Sequence, residues 1–157
     1  MTAHYEAQIP RRLFLHWTGV DSYSATFTDY HTCITVRRSW FKPWTWVAEL
    51  KRMHPYLKAL HHHTYRANRD AVALSCCGAG PHTPIRKEQV EVMCLEAARI
   101  CHRYNIPVDS DHVQTHAESA ISFSYYPERT DFDKRGDELR TKIRYYLGKI
   151  KSGELKP

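Results

Sequence analysis

Apolar and polar residues alternate or cluster in a way that separates strands from helices along this chain. Short β-prone stretches occur at Leu13 to His16, at His31 to Val36, at Ala71 to Cys77 and at Val113 to His116, and each predicts a strand. The third, AVALSCC, is apolar almost throughout and predicts a central strand buried on both faces. Val90, Cys94, Ala97, Cys101 and Tyr104 recur at helical spacing. Thr83 as N-cap and Pro84 at the first position predict a helix from 84 that Asn105 and Pro107 end. Leu139, Ile143, Leu147 and Ile150 predict a second amphipathic helix over 137–150, with Arg140, Lys142, Arg144 and Lys149 on its other faces. Trp40 to Leu60 reads as a partly helical excursion interrupted by Pro43 and Pro55.

Strands interleaved with helices predict an α/β fold, a mixed central β-sheet flanked by helices. No repeat, low-complexity tract or Gly/Ser linker divides the 157 residues, so a single domain over 1–157 is expected. No apolar run is long enough to span a bilayer. The first twelve residues are polar, with Pro10 and a basic pair where a signal peptide needs its apolar stretch, so synthesis in the cytoplasm is expected.

The five cysteines, an odd number, fall in neither a zinc-ribbon nor a secreted-type pattern, and reduced thiols are expected. The net charge of +6 fits a polyanionic partner and equally a solvated basic surface. The basic residues are spread along the chain, with no helix-turn-helix or RNP-like signature, which argues against specific nucleic-acid binding.

The 11 histidines matter most, because imidazole is the commonest metal ligand. His16 ends the first strand in LFLHWTG and His116 ends a later one in VQTHAES. Asp131 follows in PERTDFD, beyond a loop long enough to return a carboxylate to the strand ends. Two His and one Asp leave one tetrahedral position for water, the layout of a catalytic zinc site. Other triples can be drawn from so many histidines. His61, His62 and His63 read as exposed loop residues, and His31 as a structural strand histidine.

LFLHWTG, DYHTCITV, HTYRANRDAVALSCCG and QTHAES followed by RTD occur in an order that resembles the zinc-dependent N-acetylmuramoyl-L-alanine amidases, the group that includes phage lysozyme-amidases and peptidoglycan recognition proteins. The resemblance covers about residues 12–133. It implies one Zn2+ per chain held by His16, His116 and Asp131, and cleavage of the amide joining N-acetylmuramic acid to L-alanine in peptidoglycan or a muropeptide. It matches Tyr30 to a tyrosine beside the metal-activated water, Arg129 to a cation near the oxyanion, and Thr18 to the His-x-Thr strand end. His63 and Asn68 fall at the substrate rim by position.

The central strand carries Ser75 where some members of that family carry a glutamate base. Tyr30 is then the first candidate base and Glu118 the second. Arg37 to Tyr56 lacks the usual Asp-Gly turn and return strand. An endolysin released to the cell wall through a phage holin and a cytoplasmic muropeptide-recycling enzyme both fit, and the short chain without a separate wall-binding module favours the endolysin. The alternatives are a muropeptide-binding protein of the same fold without catalysis, and a Cys/His cell-wall peptidase built on Cys76 or Cys77 with His116 and Glu118.

Overall fold

The computed structural model describes residues 7–61, 63–64, 68–122 and 131–157. Five strands form one sheet: β1 (Arg12–Trp17), β2 (Thr32–Arg38), β3 (Trp46–Arg52), β4 (Ala71–Cys76) and β5 (Val113–Thr115), in the order β3-β2-β4-β1-β5. β4 runs parallel to both β1 and β2, and β1 runs parallel to β5. β3 is the antiparallel edge, paired with β2 from Thr32↔Arg52 to Arg38↔Trp46. Among the described residues three helices accompany the sheet: α1 (Lys87–Tyr104), α2 (His116–Ser122) and α3 (Gly136–Lys151).

β4 is buried at every position and lies mid-sheet, as its continuous apolar run predicts. Period-two alternation divides the sheet into two unlike faces. Leu13, Leu15, Val72, Leu74, Cys76 and Ile34 join Met93, Ala97 and Ile100 of α1 and Leu139 and Ile143 of α3 in the main core. The intervening residues, Phe14, His16, Ala73, Ser75 and Cys33, form the opposite face, which mixes apolar side chains with the buried polar His16 and Ser75. A loop carrying His63 and Thr64 covers it: the His63 ring lies 6.1 Å from Phe14 and 5.6 Å from His16.

The strand expectations are met except in one segment. Residues 46–52 form β3, a return strand where the sequence predicts none and only a partly helical excursion, because the whole segment pairs in register with β2 from Arg38 back to Thr32 and the proline interruptions fall outside it. α1 begins at Lys87 rather than at Pro84. The Thr83 hydroxyl bonds Val20 O and Asp21 Oδ1, which commits it to the turn after β4. The cap comes instead from Gln89 Oε1, which accepts from Arg86 N at 2.9 Å. Gln89 is fully buried, and its Nε2 donates to Ile34 O and Cys77 O, so one side chain ties α1 to the ends of β2 and β4.

α2 is an element the apolar pattern does not predict. His116 is its first residue rather than the last of a strand. Thr115 Oγ1 accepts from Glu118 N at 3.1 Å and Glu118 Oε2 accepts from Thr115 N at 2.9 Å, a reciprocal capping box that starts the helix. Glu118 also takes two 2.9 Å bonds from Arg140 of α3. Arg140 is therefore buried, at 4% exposure, and not on a solvent face. The approach is so close that a Cβ on Gly136 would lie 2.0 Å from the Glu118 carboxylate.

Candidate metal centre

The parallel register sets His16 opposite Ser75 at the C-terminal ends of β1 and β4, and β5 delivers His116 on the other side of β1. His16 Nδ1 lies 3.0 Å from His116 Nδ1. Asp131 Oδ2 lies 3.9 Å from His16 Nδ1 and 3.5 Å from His116 Nδ1. A tetrahedral ion with bonds of about 2.0–2.1 Å sets its donors roughly 3.3 Å apart, and these three separations bracket that value. Two imidazole nitrogens and one carboxylate are also a donor set suited to zinc. The residues fit a metal, and theirs is the one group of this kind among the described residues.

Two sets of contacts fix the trio. Trp17 N donates to Asp131 Oδ2 at 3.0 Å and Ala117 N reaches Asp131 O at 3.4 Å, joining the carboxylate residue to both histidine-bearing elements. Behind His16, its Nε2 lies 3.4 Å from Thr64 Oγ1, which lies 3.0 Å from His63 Nδ1. A hydrogen-bonded second nitrogen is the usual way a ligand histidine has its tautomer and ring set. His16 is wholly buried, whereas the His116 and Asp131 side chains keep 12% and 11% of their surface exposed. The centre therefore opens to solvent on the His116–Asp131 side.

Tyr30 packs against His16 with ring centroids 5.1 Å apart. Burial first, and then the negative charge of Asp131, push its hydroxyl up to about 12. In the metal-free chain it is therefore a neutral phenol at neutral pH. Ser75 Oγ is buried beside it without a well-formed hydrogen bond.

His63 is buried at 4% exposure, contrary to the exposed-loop expectation. Desolvation, then the neighbouring His31, hold it down to about 3, so it stays neutral. It backs the centre and does not line a substrate rim. Asn68 Oδ1 accepts from His63 N and Thr64 N, and its Nδ2 donates to His61 O; it folds the loop that presents Thr64. The Thr18 hydroxyl accepts from Gly78 N and donates to Gly78 O, extending the β1–β4 pairing. Both Asn68 and Thr18 have their polar groups spent on backbone.

Glu118 is not brought to the trio as a base, because its carboxylate is held by Arg140 and the Thr115 amide. Arg129 lies outside the described residues, as does His62. The cysteine readings fail on burial. Cys76 is fully buried on the helix-covered face, its Sγ 3.7 Å from Met93 Sδ, and desolvation raises its thiol. Cys77 is raised by its contact with Cys33 and by burial. Neither forms the thiolate a nucleophile needs.

Sequence reasoning missed Thr64 and Trp17 N. Neither carries a signal of its own, since each acts only through what folding places beside it.

No family model matches the chain, and no curated protein matches it. Solved structures do. The Staphylococcus aureus hydrolase AmiA, determined with its ligand, aligns over 100% of this chain and 84% of its own, with a TM-score of 0.66 and 13% identity. The chain has the amidase fold. A mutant endolysin from Bacillus subtilis aligns over 88% of each chain with a TM-score of 0.62 and 13% identity. The endolysin N-acetylmuramoyl-L-alanine amidase LysCS from Clostridium intestinale aligns over 92% of this chain and 93% of its own, with a TM-score of 0.57 and 13% identity.

Proposed function

We propose that this protein is a zinc-dependent N-acetylmuramoyl-L-alanine amidase that hydrolyses the amide between N-acetylmuramic acid and L-alanine. The observation that carries this reading is the convergence of His16, His116 and Asp131 at the strand ends of an amidase fold. These three would hold one zinc per chain. Bound there, zinc would lower the pKa of water from 15.7 toward about 7 and polarise the scissile carbonyl.

The remaining work falls to the chain itself. Trp17 N and Thr64 Oγ1 hold Asp131 and His16 in fixed orientations, so that little reorganisation is needed when substrate binds. The protonated Tyr30 hydroxyl donates a hydrogen bond to the carbonyl oxygen as charge develops there. Arg129 adds a cation to the same oxygen and, being always protonated, does not deliver a proton. The leaving amine takes its proton from Tyr30 or from water as the C–N bond breaks. The proposal includes peptidoglycan as the substrate, synthesis in the cytoplasm and release to the wall through a holin.

Zinc content by elemental analysis, on wild type and His116→Ala, paired with amino-terminal analysis of digested sacculi, tests this. The expected result is one zinc per wild-type chain, lost in the variant, with new L-alanine amino termini from wild type alone. Zinc without new termini would replace the enzyme with a wall-binding protein. Absence of zinc in protein refolded with excess metal would overturn the reading.

A further inference from the structure

The turn between β2 and β3 reads SWFKPWTW over residues 39–46. Trp40, Phe41 and Trp44 there are 81%, 94% and 73% exposed. Three large aromatic side chains within five residues make a patch, whereas the other exposed apolar residues, such as Ile9, Ile121 and Tyr145, stand far apart in sequence. Patches of this kind mark interaction surfaces.

The turn is built to hold these rings out. Ser39 N donates to Thr45 O, Thr45 N donates to Lys42 O, and Lys42 N donates to Ser39 Oγ. β2 pairs with β4 only as far as Ile34; beyond that point β2 and β3 continue as a two-stranded arm that Val36 N, donating to Tyr23 O at 3.2 Å, still ties to the body. Where the ladder meets the turn, the Arg38 and Arg86 guanidinium groups lie over the Trp46 ring at 4.0 and 4.3 Å, with Tyr23 against its edge. Because β2 and β1 both run parallel to β4, the arm projects from the end of the sheet that carries His16.

The arm has three cations, Arg37, Arg38 and Lys42, of which Arg37 is paired with Glu49 at 2.8 Å and Arg38 lies over the Trp46 ring, and the turn itself has Lys42 and no acid. Indole and phenyl rings interleaved with cations suit the headgroup region of an anionic bilayer, where the rings sit among the glycerol groups and the cations face phosphate. A sugar platform would need free polar groups beside the rings. The Ser39 and Thr45 hydroxyls are already used within the turn, one accepting from Lys42 N and the other donating to Lys42 O. A symmetric contact between two copies would set these cations against each other.

We propose that the 39–46 hairpin is a membrane-docking arm that seats Trp40, Phe41 and Trp44 in the interface of an anionic phospholipid bilayer, with Lys42 against the headgroups. This does not depend on the amidase reading.

Co-sedimentation of the full chain with phosphatidylglycerol-containing vesicles and with pure phosphatidylcholine vesicles tests it. Wild type is expected to bind the anionic vesicles more strongly, to be released by salt, and to shift its tryptophan emission to the blue on binding. Trp40→Ser/Phe41→Ser/Trp44→Ser is expected to lose at least about tenfold in partitioning with an unchanged melting temperature. Lys42→Glu, a single change on an exposed side chain, is expected to weaken binding in the same direction. Wild type that ignores the anionic vesicles, or a triple variant that binds them equally, would overturn the proposal. Aromatic-dependent binding to purified sacculi without vesicle binding would replace lipid with glycan. Aromatic-dependent dimerisation in its place would assign the arm to a second copy.

Discussion

The Trp17 amide donates to Asp131 Oδ2 at 3.0 Å, so the peptide group that follows His16 holds the carboxylate that completes the candidate metal centre. One backbone donor thus fixes the spacing of two donors far apart in sequence. Asp131→Asn keeps an acceptor for Trp17 but removes the charge. It is expected to melt close to wild type while losing zinc. Asp131→Ala also strands the Trp17 N–H and is expected to cost a further 1–2 kcal/mol or so. Elemental analysis and thermal denaturation of both variants check this.

Thr64 Oγ1 stands between His16 Nε2 and His63 Nδ1. Thr64→Val removes the hydroxyl at nearly constant volume and is expected to weaken zinc binding by about 10–100-fold. Thr64→Ser restores the oxygen and is expected to recover most of the affinity. Competition titration against a chromogenic chelator measures both. Equal affinity in the Val variant would show that the Thr64 contact does not orient the ligand.

The Glu118–Arg140 pair defines a structural role that is separable from catalysis. Removing the carboxylate leaves the buried guanidinium with only Asp137 Oδ1 and Val113 O as partners, and Glu118→Ala is expected to lose roughly 2–3 kcal/mol. Gly136→Ala, which pushes a methyl into the same carboxylate, is expected to destabilise too. Activity per folded molecule, measured well below the melting transition, is expected to stay within about twofold of wild type, since no effect on the transition state is removed. A large loss of turnover in folded Glu118→Gln would return this residue to the reaction.

His31 is a neutral link in the sheet: its Nδ1 accepts from Ala73 N and its Nε2 donates to Lys58 O. Burial is the main cause that depresses it, to about 4 from an ordinary 6.5. The unfolded chain therefore takes up a proton below pH 6.5 that the folded chain refuses. Stability attributable to His31 is complete above that pH and falls as pH drops toward 4, by roughly 3 kcal/mol. Urea denaturation of metal-free protein from pH 8 to 4 is expected to show this slope, and His31→Gln to flatten it. Parallel profiles for the two proteins would contradict the assignment.

Much of the fold was legible because burial on two faces and burial on one leave different patterns. The unbroken apolar run at 71–76 announced the central strand, and the spacing from Val90 to Tyr104 announced α1. β3 escaped because an edge strand is half solvated and takes its pairing from β2. α2 escaped because seven residues hold too few turns for periodicity, although Thr115 and Glu118 stood in the sequence as a capping box.

Sequence alone determined which residue types were available to the site and on which face His16 must lie, since alternation in β1 sets it opposite Leu13 and Leu15. Tertiary structure decided which chemistry each polar residue is free to perform. Glu118 looked available until Arg140 claimed it, Thr18 and Asn68 until backbone groups claimed them, and His63 looked exposed until the sheet buried it. A side chain's hydrogen-bonding capacity is local, but its use depends on neighbours brought in from distant parts of the chain, and no local pattern records them.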